Sequence, residues 1–370
     1  MMSITRIVIT GGPSAGKTTA LSRIEEAFRD RGWRVLIIQE TATELISSGV
    51  APWTCGSRNL YQRFQLQLQL EKERIYREAA ETMPDEKILI VCDRGAMDNR
   101  AYMTGPDFAA LLADLQLDEV VLRDSYDAVF HLVTAAKGAE AFYTLENNRA
   151  RTETPEEARA LDDAVIAAWT GHPHLRIIGN DADFEEKMQR LIRALAAFLG
   201  EPAPRETKRR YLLHFPDTAA LEKLPGCRKV EIEQFYLASA PDTEIRVRRR
   251  SEGGINSYYY TEKRRTGDGQ MAETEHRITA REYERLLPEK DPERASITKT
   301  RYCLSWEDQY FAVDLYPFWT EQAIAEVELS SGMEEAHLPP ELTVIREVTG
   351  EAAYEISELA KHANATWGRL

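Results

Sequence analysis

Gly11-Gly12-Pro13-Ser14-Ala15-Gly16-Lys17-Thr18 fits the pattern G-x-x-x-x-G-K-[ST]. The apolar run Ile4–Thr10 stands before it and the helical stretch Lys17–Asp30 follows. The loop therefore joins a buried strand to a helix N-terminus, the context in which the pattern binds phosphate. Two glycines let backbone N–H groups curl around phosphate oxygens, Lys17 reaches the β- and γ-phosphates, and the Thr18 hydroxyl suits Mg2+. Thr19, the next residue of the helix, completes the nucleotide-binding set. Average composition gives a chance match roughly 1% of the time in a chain this long, and the strand–loop–helix context argues further against chance.

Outward from that loop, short apolar strands alternate with helices as far as residue 200. Arg34–Ile38, Ile88–Cys92, Ala128–Val133 and Leu175–Ile178 read as strands, and Asn59–Glu81 and Glu156–Trp169 as helices. A last helix places Phe184, Met188, Leu191, Ile192, Leu195, Phe198 and Leu199 on one face. This order predicts an α/β P-loop domain over residues 1–200, its parallel sheet carrying helices on both faces. Gly200-Glu201-Pro202-Ala203-Pro204 stops the helix, and residues 201–205 read as a linker. Strand-like runs then follow at short spacing: Arg209–Phe215, Lys229–Ala238, Glu244–Arg250, Ser257–Arg264, Ala272–Ile278, Thr298–Ser305, Gln309–Tyr316 and Ala323–Leu329. They predict an antiparallel barrel or sandwich over residues 206–370.

Composition bounds the partners. A formal net charge of −14 over 370 residues argues against wrapping bulk nucleic acid. Cys55, Cys92, Cys227 and Cys303 lack paired spacing, which argues against a disulfide framework or a zinc site. No apolar run approaches the roughly 18 residues of a membrane span, and Ile4–Thr10 is too short for a signal segment. A cytoplasmic location is the expectation.

Asp93 and Arg94 follow the apolar strand Ile88–Cys92. A carboxylate at the C-terminal end of a buried strand beside a P-loop can hold the magnesium shell or accept a substrate proton; it can also simply cap a turn. Glu40 ends the second strand on the same expected edge, where it can orient a magnesium water, bind an acceptor or only cap a loop. Arg149 and Arg151 lie in the polar stretch Glu146–Pro155, where guanidinium groups on a lid would neutralise a transferring phosphate or, as exposed arginines commonly do, simply stay solvated. Lys17, Asp93, Arg94, Arg149 and Arg151 are the catalytic candidates. The order of the P-loop, Glu40-Thr-Ala-Thr, Asp93-Arg94-Gly95 and the Arg149/Arg151 lid resembles the AAA-type ATPase family related to ribosylnicotinamide kinases. That resemblance covers about residues 1–200 and implies kinase- or NTPase-like chemistry on ATP or GTP. The guanine-reading Asn-Lys-x-Asp is absent, so base preference stays open.

In the second half charged residues recur at i, i+2. Arg246, Arg248 and Arg250 share one strand face, as do Glu273 with Glu275, Lys299 with Arg301, and Glu326 with Glu328. Such pairs line a polar channel or decorate a solvated sheet with cross-strand ion pairs. Arg246-Val-Arg248, Thr261-Glu-Lys263, Glu273-Thr-Glu275, Lys299-Thr-Arg301, Asp314 and Glu326-Val-Glu328 resemble, in order, the CYTH or triphosphate tunnel superfamily over about residues 205–360. The resemblance implies that Lys208, Arg210, Arg246, Arg248, Lys263, Lys299 and Arg301 bind a phosphate-rich ligand. It also implies that Glu273, Glu275, Glu326 and Glu328 hold metal; in the first half the metal candidates are Thr18 of the glycine loop and Asp93 of the strand end. One departure bears on hydrolysis: the opening E-x-E-x-K signature reads Glu206-Thr-Lys208-Arg-Arg210, a lysine standing where relatives carry the second glutamate. The fused order is similar to that of the TRPL translocation defect kind, which implies GTP and an acidic phospholipid headgroup as ligands. Two expectations follow. One is a P-loop enzyme with a ligand-handling tunnel; the other is a nucleotide-dependent regulator whose tunnel binds polyphosphate or a phospholipid headgroup.

Overall fold

The computed structural model describes residues 3–140, 154–201, 208–240, 242–265, 271–329 and 336–362. The chain divides into two compact units, Met1–Ile192 and Arg193–Leu370. In the first, β1 (Ser3–Gly11), α1 (Lys17–Arg29), β2 (Arg34–Ile38), α2 (Thr41–Ser47), α3 (Arg58–Glu81) and β3 (Lys87–Asp93) are followed by a 3-10 turn at Ala96–Tyr102. Then come α4 (Gly105–Asp114), α5 (Glu119–Arg123), β4 (Ala128–Leu132), α6 (Pro155–Trp169), β5 (Leu175–Ile178) and α7 (Phe184–Phe198). The division between the units falls within α7.

The strands form one sheet, ordered β2-β3-β1-β4-β5, and every pairing is parallel. Apolar residues occupy both faces: β4 is wholly buried, and β3 is buried beyond Lys87. Each buried Ile, Val or Leu contributes roughly 1.5–3 kcal/mol. α1 covers the sheet with Ala20, Leu21, Ile24 and Phe28, an amphipathic stripe. α6 starts at Pro155 behind a capping box, Thr154 accepting from the Glu157 N–H while Glu157 accepts from the Thr154 N–H. Strand order reverses direction around β1, so β1 and β3 deliver their C-terminal residues to one crevice, where open α/β sheets place ligands. Ile9 and Asp93 are register partners there.

The second unit contains β6 (Lys208–His214), α8 (Thr218–Leu221), β7 (Arg228–Leu237), β8 (Thr243–Glu252), β9 (Ile255–Arg265) and β10 (Met271–Ile278). After them run α9 (Ala280–Leu286), β11 (Ile297–Trp306), β12 (Gln309–Leu315), β13 (Gln322–Glu328), β14 (Val344–Glu347) and α10 (Ile356–His362). Their antiparallel sheet is ordered β10-β9-β8-β7-β11-β12-β13-β6-β14. The expected antiparallel architecture is present, but among the described residues the ladder does not close between β10 and β14.

The sheet is nevertheless strongly curled. Glu273 on β10 interacts electrostatically with Lys208 on β6, near the other end of the strand order. A flat sheet would hold those strands roughly 30 Å apart, too far for a felt charge. The two faces differ by the period-2 rule. Tyr211, Leu213, Phe311, Val313, Ala325 and Val327 bury one face with Leu221 of α8 and Leu342. Arg210, Asp314, Glu326 and Glu328 alternate onto the other.

Candidate nucleotide site and charged sheet face

The glycine loop is built around its own lysine. Lys17 Nζ donates to the carbonyls of Gly11 (3.0 Å) and Gly12 (2.9 Å). The Thr134 hydroxyl donates to Pro13 O at 2.5 Å, and buried Lys187 of α7 donates to Ala15 O (3.2 Å) and Val133 O (2.7 Å). A loop whose carbonyls are bound by protein donors can turn N–H groups toward an anion, although that of Gly12 is taken by Asp162 Oδ1 at 2.8 Å. Gly11 is required by contact as well as by conformation: φ is 145°, and a Cβ there would lie 2.1 Å from Leu132 O. Thr18 and Thr19 are exposed in the first turn of α1.

Asp93 ends β3 nearly buried, and its Oδ1 has no hydrogen-bond partner among the described residues. Burial, then the charges of Glu40 and Asp98, pushes its carboxyl up to about 6 against the opposing pull of Lys17 and Arg94. Glu40 behaves oppositely. Burial would raise it, but Arg94, Lys17 and the Thr43 hydroxyl hold it down at about 2. Arg94 occupies the left-handed region (φ 67°), and its guanidinium is committed to two carboxylates: Nε to Glu40 Oε1 at 2.6 Å, Nη1 to Asp98 Oδ1 at 3.1 Å. The structure thus gathers Lys17, Glu40, Asp93 and Arg94. Arg149 and Arg151 lie outside the described residues.

Asp98 is the member that sequence reading missed. It accepts from the Thr10 hydroxyl, from Gly95 N (3.0 Å) and from Trp169 Nε1 (3.1 Å) besides Arg94. The only sequence signal was an Asp three residues after a glycine, ordinary turn chemistry. The buried polar stripe of α3 was equally silent: Gln69 donates to Arg94 O (3.3 Å) and Glu73 (2.7 Å), and Gln65 donates to Thr41 (2.8 Å). These side chains hold the Asp93–Arg94 turn from behind.

In the second unit the sequence-predicted charges share the inner face of the curled sheet, largely as ion pairs. Arg248 meets Glu275 at 2.6 Å, and Arg246 lies 3.4 Å from Glu275 and 3.8 Å from Glu273. Lys263 meets Glu273 (3.2 Å), Arg210 meets Glu326 (3.1 Å) and also pairs with Glu355, and Thr261 donates to Glu275. Lys299 and Arg301 share Asp314. Arg246 Nε and Arg248 Nε are buried without hydrogen-bond partners among the described residues.

Lys208 acts on two of the predicted metal-binding carboxylates. Burial would raise Glu326, but Lys208 and Arg210 hold it far below the usual carboxylate range. Glu273 is likewise held at about 2 against burial by Lys263 and Lys208. Among the described residues no three His, Cys, Asp or Glu side chains come together as a metal cluster, so Glu273, Glu275, Glu326 and Glu328 are not gathered at one point. Glu355 was not singled out from the sequence, which carried no periodic signal there. No helix among the described residues is long and apolar enough to cross a membrane.

Residues 6–187 match the family model of the AAA domain, and no curated protein matches the chain. Among solved structures, the hypothetical protein NE1496 is 27% identical over 42% of this chain and 98% of its own, with a TM-score of 0.30. A second structure, described as the inorganic triphosphatase NE1496, is 26% identical over 43% and 97%, with a TM-score of 0.31. PH1819 protein from Pyrococcus horikoshii OT3 is 16% identical over 34% and 78%, with a TM-score of 0.26. The N-terminal half of the chain carries an AAA-type P-loop domain.

Proposed function

We propose that the first half is a magnesium-dependent kinase- or NTPase-type site for ATP or GTP, and that the second half binds a phosphate-rich anion without cleaving it. The observation that carries the first part is the orphaned Oδ1 of Asp93, buried at the crevice beside Lys17. An unbonded buried carboxylate oxygen costs about 1–3 kcal/mol unless a ligand satisfies it. Asp93 with the Thr18 hydroxyl fits a hard divalent cation, and those two residues would hold it. When bound, magnesium neutralises charge on the transferring phosphate. Lys17 leaves its carbonyl partners for the phosphates, and the αL turn held by Arg94, Glu40 and Asp98 keeps Asp93 in place. With a proton affinity shifted toward neutrality, Asp93 is also suited to accept a hydroxyl proton from an acceptor or water.

For the second half, the inner face supplies many cations whose carboxylate partners an incoming polyanion can displace. Glu273 and Glu326 both sense Lys208. A fixed ammonium among those carboxylates repels a divalent ion, which supports binding over metal-dependent hydrolysis. Polyphosphate, inorganic triphosphate and an acidic phospholipid headgroup share the required chemistry. The test uses Lys17→Ala protein, so that the P-loop cannot contribute, titrated with triphosphate, polyphosphate or short-chain phosphatidic acid. Binding by at least one, its loss in the Arg246→Ala/Arg248→Ala variant, and no magnesium-dependent phosphate release are expected. Rapid release in that background would overturn the non-hydrolytic reading.

A further inference from the structure

We propose that Asp162, reaching from α6, is a positioning residue of the nucleotide site that fixes the P-loop through the Gly12 N–H. The inference rests on reading Gly11–Thr18 as the phosphate loop. Asp162 is fully buried, and its Oδ1 accepts from Gly12 N at 2.8 Å and Thr134 N at 3.2 Å, with His131 Nε2 at 3.0 Å. Its Oδ2 lies 3.2 Å from Lys137 Nζ. His131 Nδ1 is buried without a hydrogen-bond partner among the described residues. A carboxylate oxygen can only accept, so the Nε2 that faces it carries a proton and His131 donates to Asp162. Burial would raise the Asp162 carboxyl, but His131, Lys137 and the Gly12 N–H hold it well below the usual range, so it is an anion throughout the physiological range.

The carboxylate governs two parts of the loop at once. Gly12 supplies its N–H to Asp162 and its carbonyl to Lys17, so one residue's backbone links Asp162 to the phosphate-binding lysine. Thr134 supplies its N–H to the same oxygen and its hydroxyl to Pro13 O. A Cβ on Gly12 would lie 2.7 Å from Asp162 Oδ1, so this close approach admits no side chain at residue 12. Without the acceptor oxygen, two buried N–H groups lose their partner and the loop must move to rehydrate them. A displacement of even ~0.5 Å spoils a phosphate cradle.

A merely structural carboxylate and a positioning one differ in what an amide can rescue. The Asp162→Asn variant keeps an oxygen for Gly12 and Thr134 but loses the charge facing Lys137; the Asp162→Ala variant loses both. In the full-length protein, well below its melting temperature, Asp162→Ala is expected to weaken binding of magnesium–ATP or magnesium–GTP by more than about tenfold. Asp162→Asn should stay within about threefold of wild type, although both variants melt earlier. Affinity then follows the acceptor oxygen while stability follows the charge. Wild-type affinity in Asp162→Ala, or equal weakening in the two variants, overturns the proposal. Lys17→Ala is the control: nucleotide binding untouched by it sinks the P-loop reading itself, and this proposal with it. Amide exchange in the wild type needs no variant to fold. Gly12 should be protected without nucleotide, and fast exchange there refutes the assignment.

Discussion

Lys299→Met should stabilise the second unit, and the gain should fade as pH rises. Lys299 and Arg301 share one carboxylate on the inner sheet face: Lys299 Nζ lies 2.6 Å from Asp314 Oδ2, and Arg301 contacts both Asp314 oxygens at 2.6 and 2.7 Å. The lysine side chain is 1% exposed. Burial first, then the charge of Arg301, pushes its ammonium down to about 7 from the ordinary 10.5, against the pull of Asp314. The unfolded chain therefore binds more protons than the folded one between those values, and stability rises with pH through that window. Each tenfold displacement of the proton equilibrium is worth about 1.4 kcal/mol, so below pH 7 the penalty approaches about 4–5 kcal/mol as an upper bound. Coupling to Arg301 and Asp314 reduces what one substitution recovers to less than half of that, on the order of 2 kcal/mol. Methionine fills a similar volume and leaves Asp314 to Arg301. Calorimetry of both proteins from pH 6 to 9 should follow the transition that triphosphate shifts. A higher midpoint for Lys299→Met at pH 6, narrowing by pH 9, is expected, with triphosphate affinity down roughly tenfold for one lost charge-assisted contact. A variant less stable than wild type at pH 6, or a gap that widens with pH, refutes the reasoning.

Three further outcomes are expected. Lys17→Ala should abolish magnesium–nucleotide binding in calorimetry while leaving the melting temperature within a few degrees, since its ammonium donates to two loop carbonyls that water can satisfy in its place. Asp93→Asn should lower turnover at least about a hundredfold with little change in nucleotide affinity. Gly95→Ala should destabilise the first unit by roughly 1–3 kcal/mol in urea unfolding, because a new Cβ would meet the Trp169 ring at 2.8 Å and Val8 at 2.9 Å.

Much of the first half was legible because its signals are local. A glycine loop between an apolar strand and a helix announces itself, and β3 runs as expected to Asp93. The short helices α2, α4 and α5 were not read, since fewer than three turns of helix carry too little periodicity to stand out from loop composition. Asp98 and Asp162 were invisible for a different reason. Each has a partner far away in sequence, Thr10 for Asp98 and Gly12 for Asp162, so only the fold converts two unremarkable aspartates into supports of the crevice.

Alternation in the second half told which residues share a face, but not how far the sheet bends. That curvature decides chemistry. Glu326 meets Lys208 and Arg210 through the neighbouring strand β6 whatever the curvature, but on a flat sheet Glu273 would lie far from Lys208, whereas the curled sheet exposes it to the same charge. Arg94 repeats the lesson at smaller scale. Its sequence position beside Asp93 suggests a phosphate ligand, yet its φ of 67° and its two carboxylate partners make it part of the frame. A guanidinium already paired at 2.6 and 3.1 Å must break both contacts to reach phosphate. The hydrogen bonds that Lys17 donates to Gly11 and Gly12 go to neutral carbonyls, and exchanging those for phosphate costs less than parting a guanidinium from two carboxylates. On the proposed reading of Gly11–Thr18 as a phosphate loop, the lysine is the cation expected to move to the nucleotide, while the arginine keeps the neighbouring carboxylate aimed.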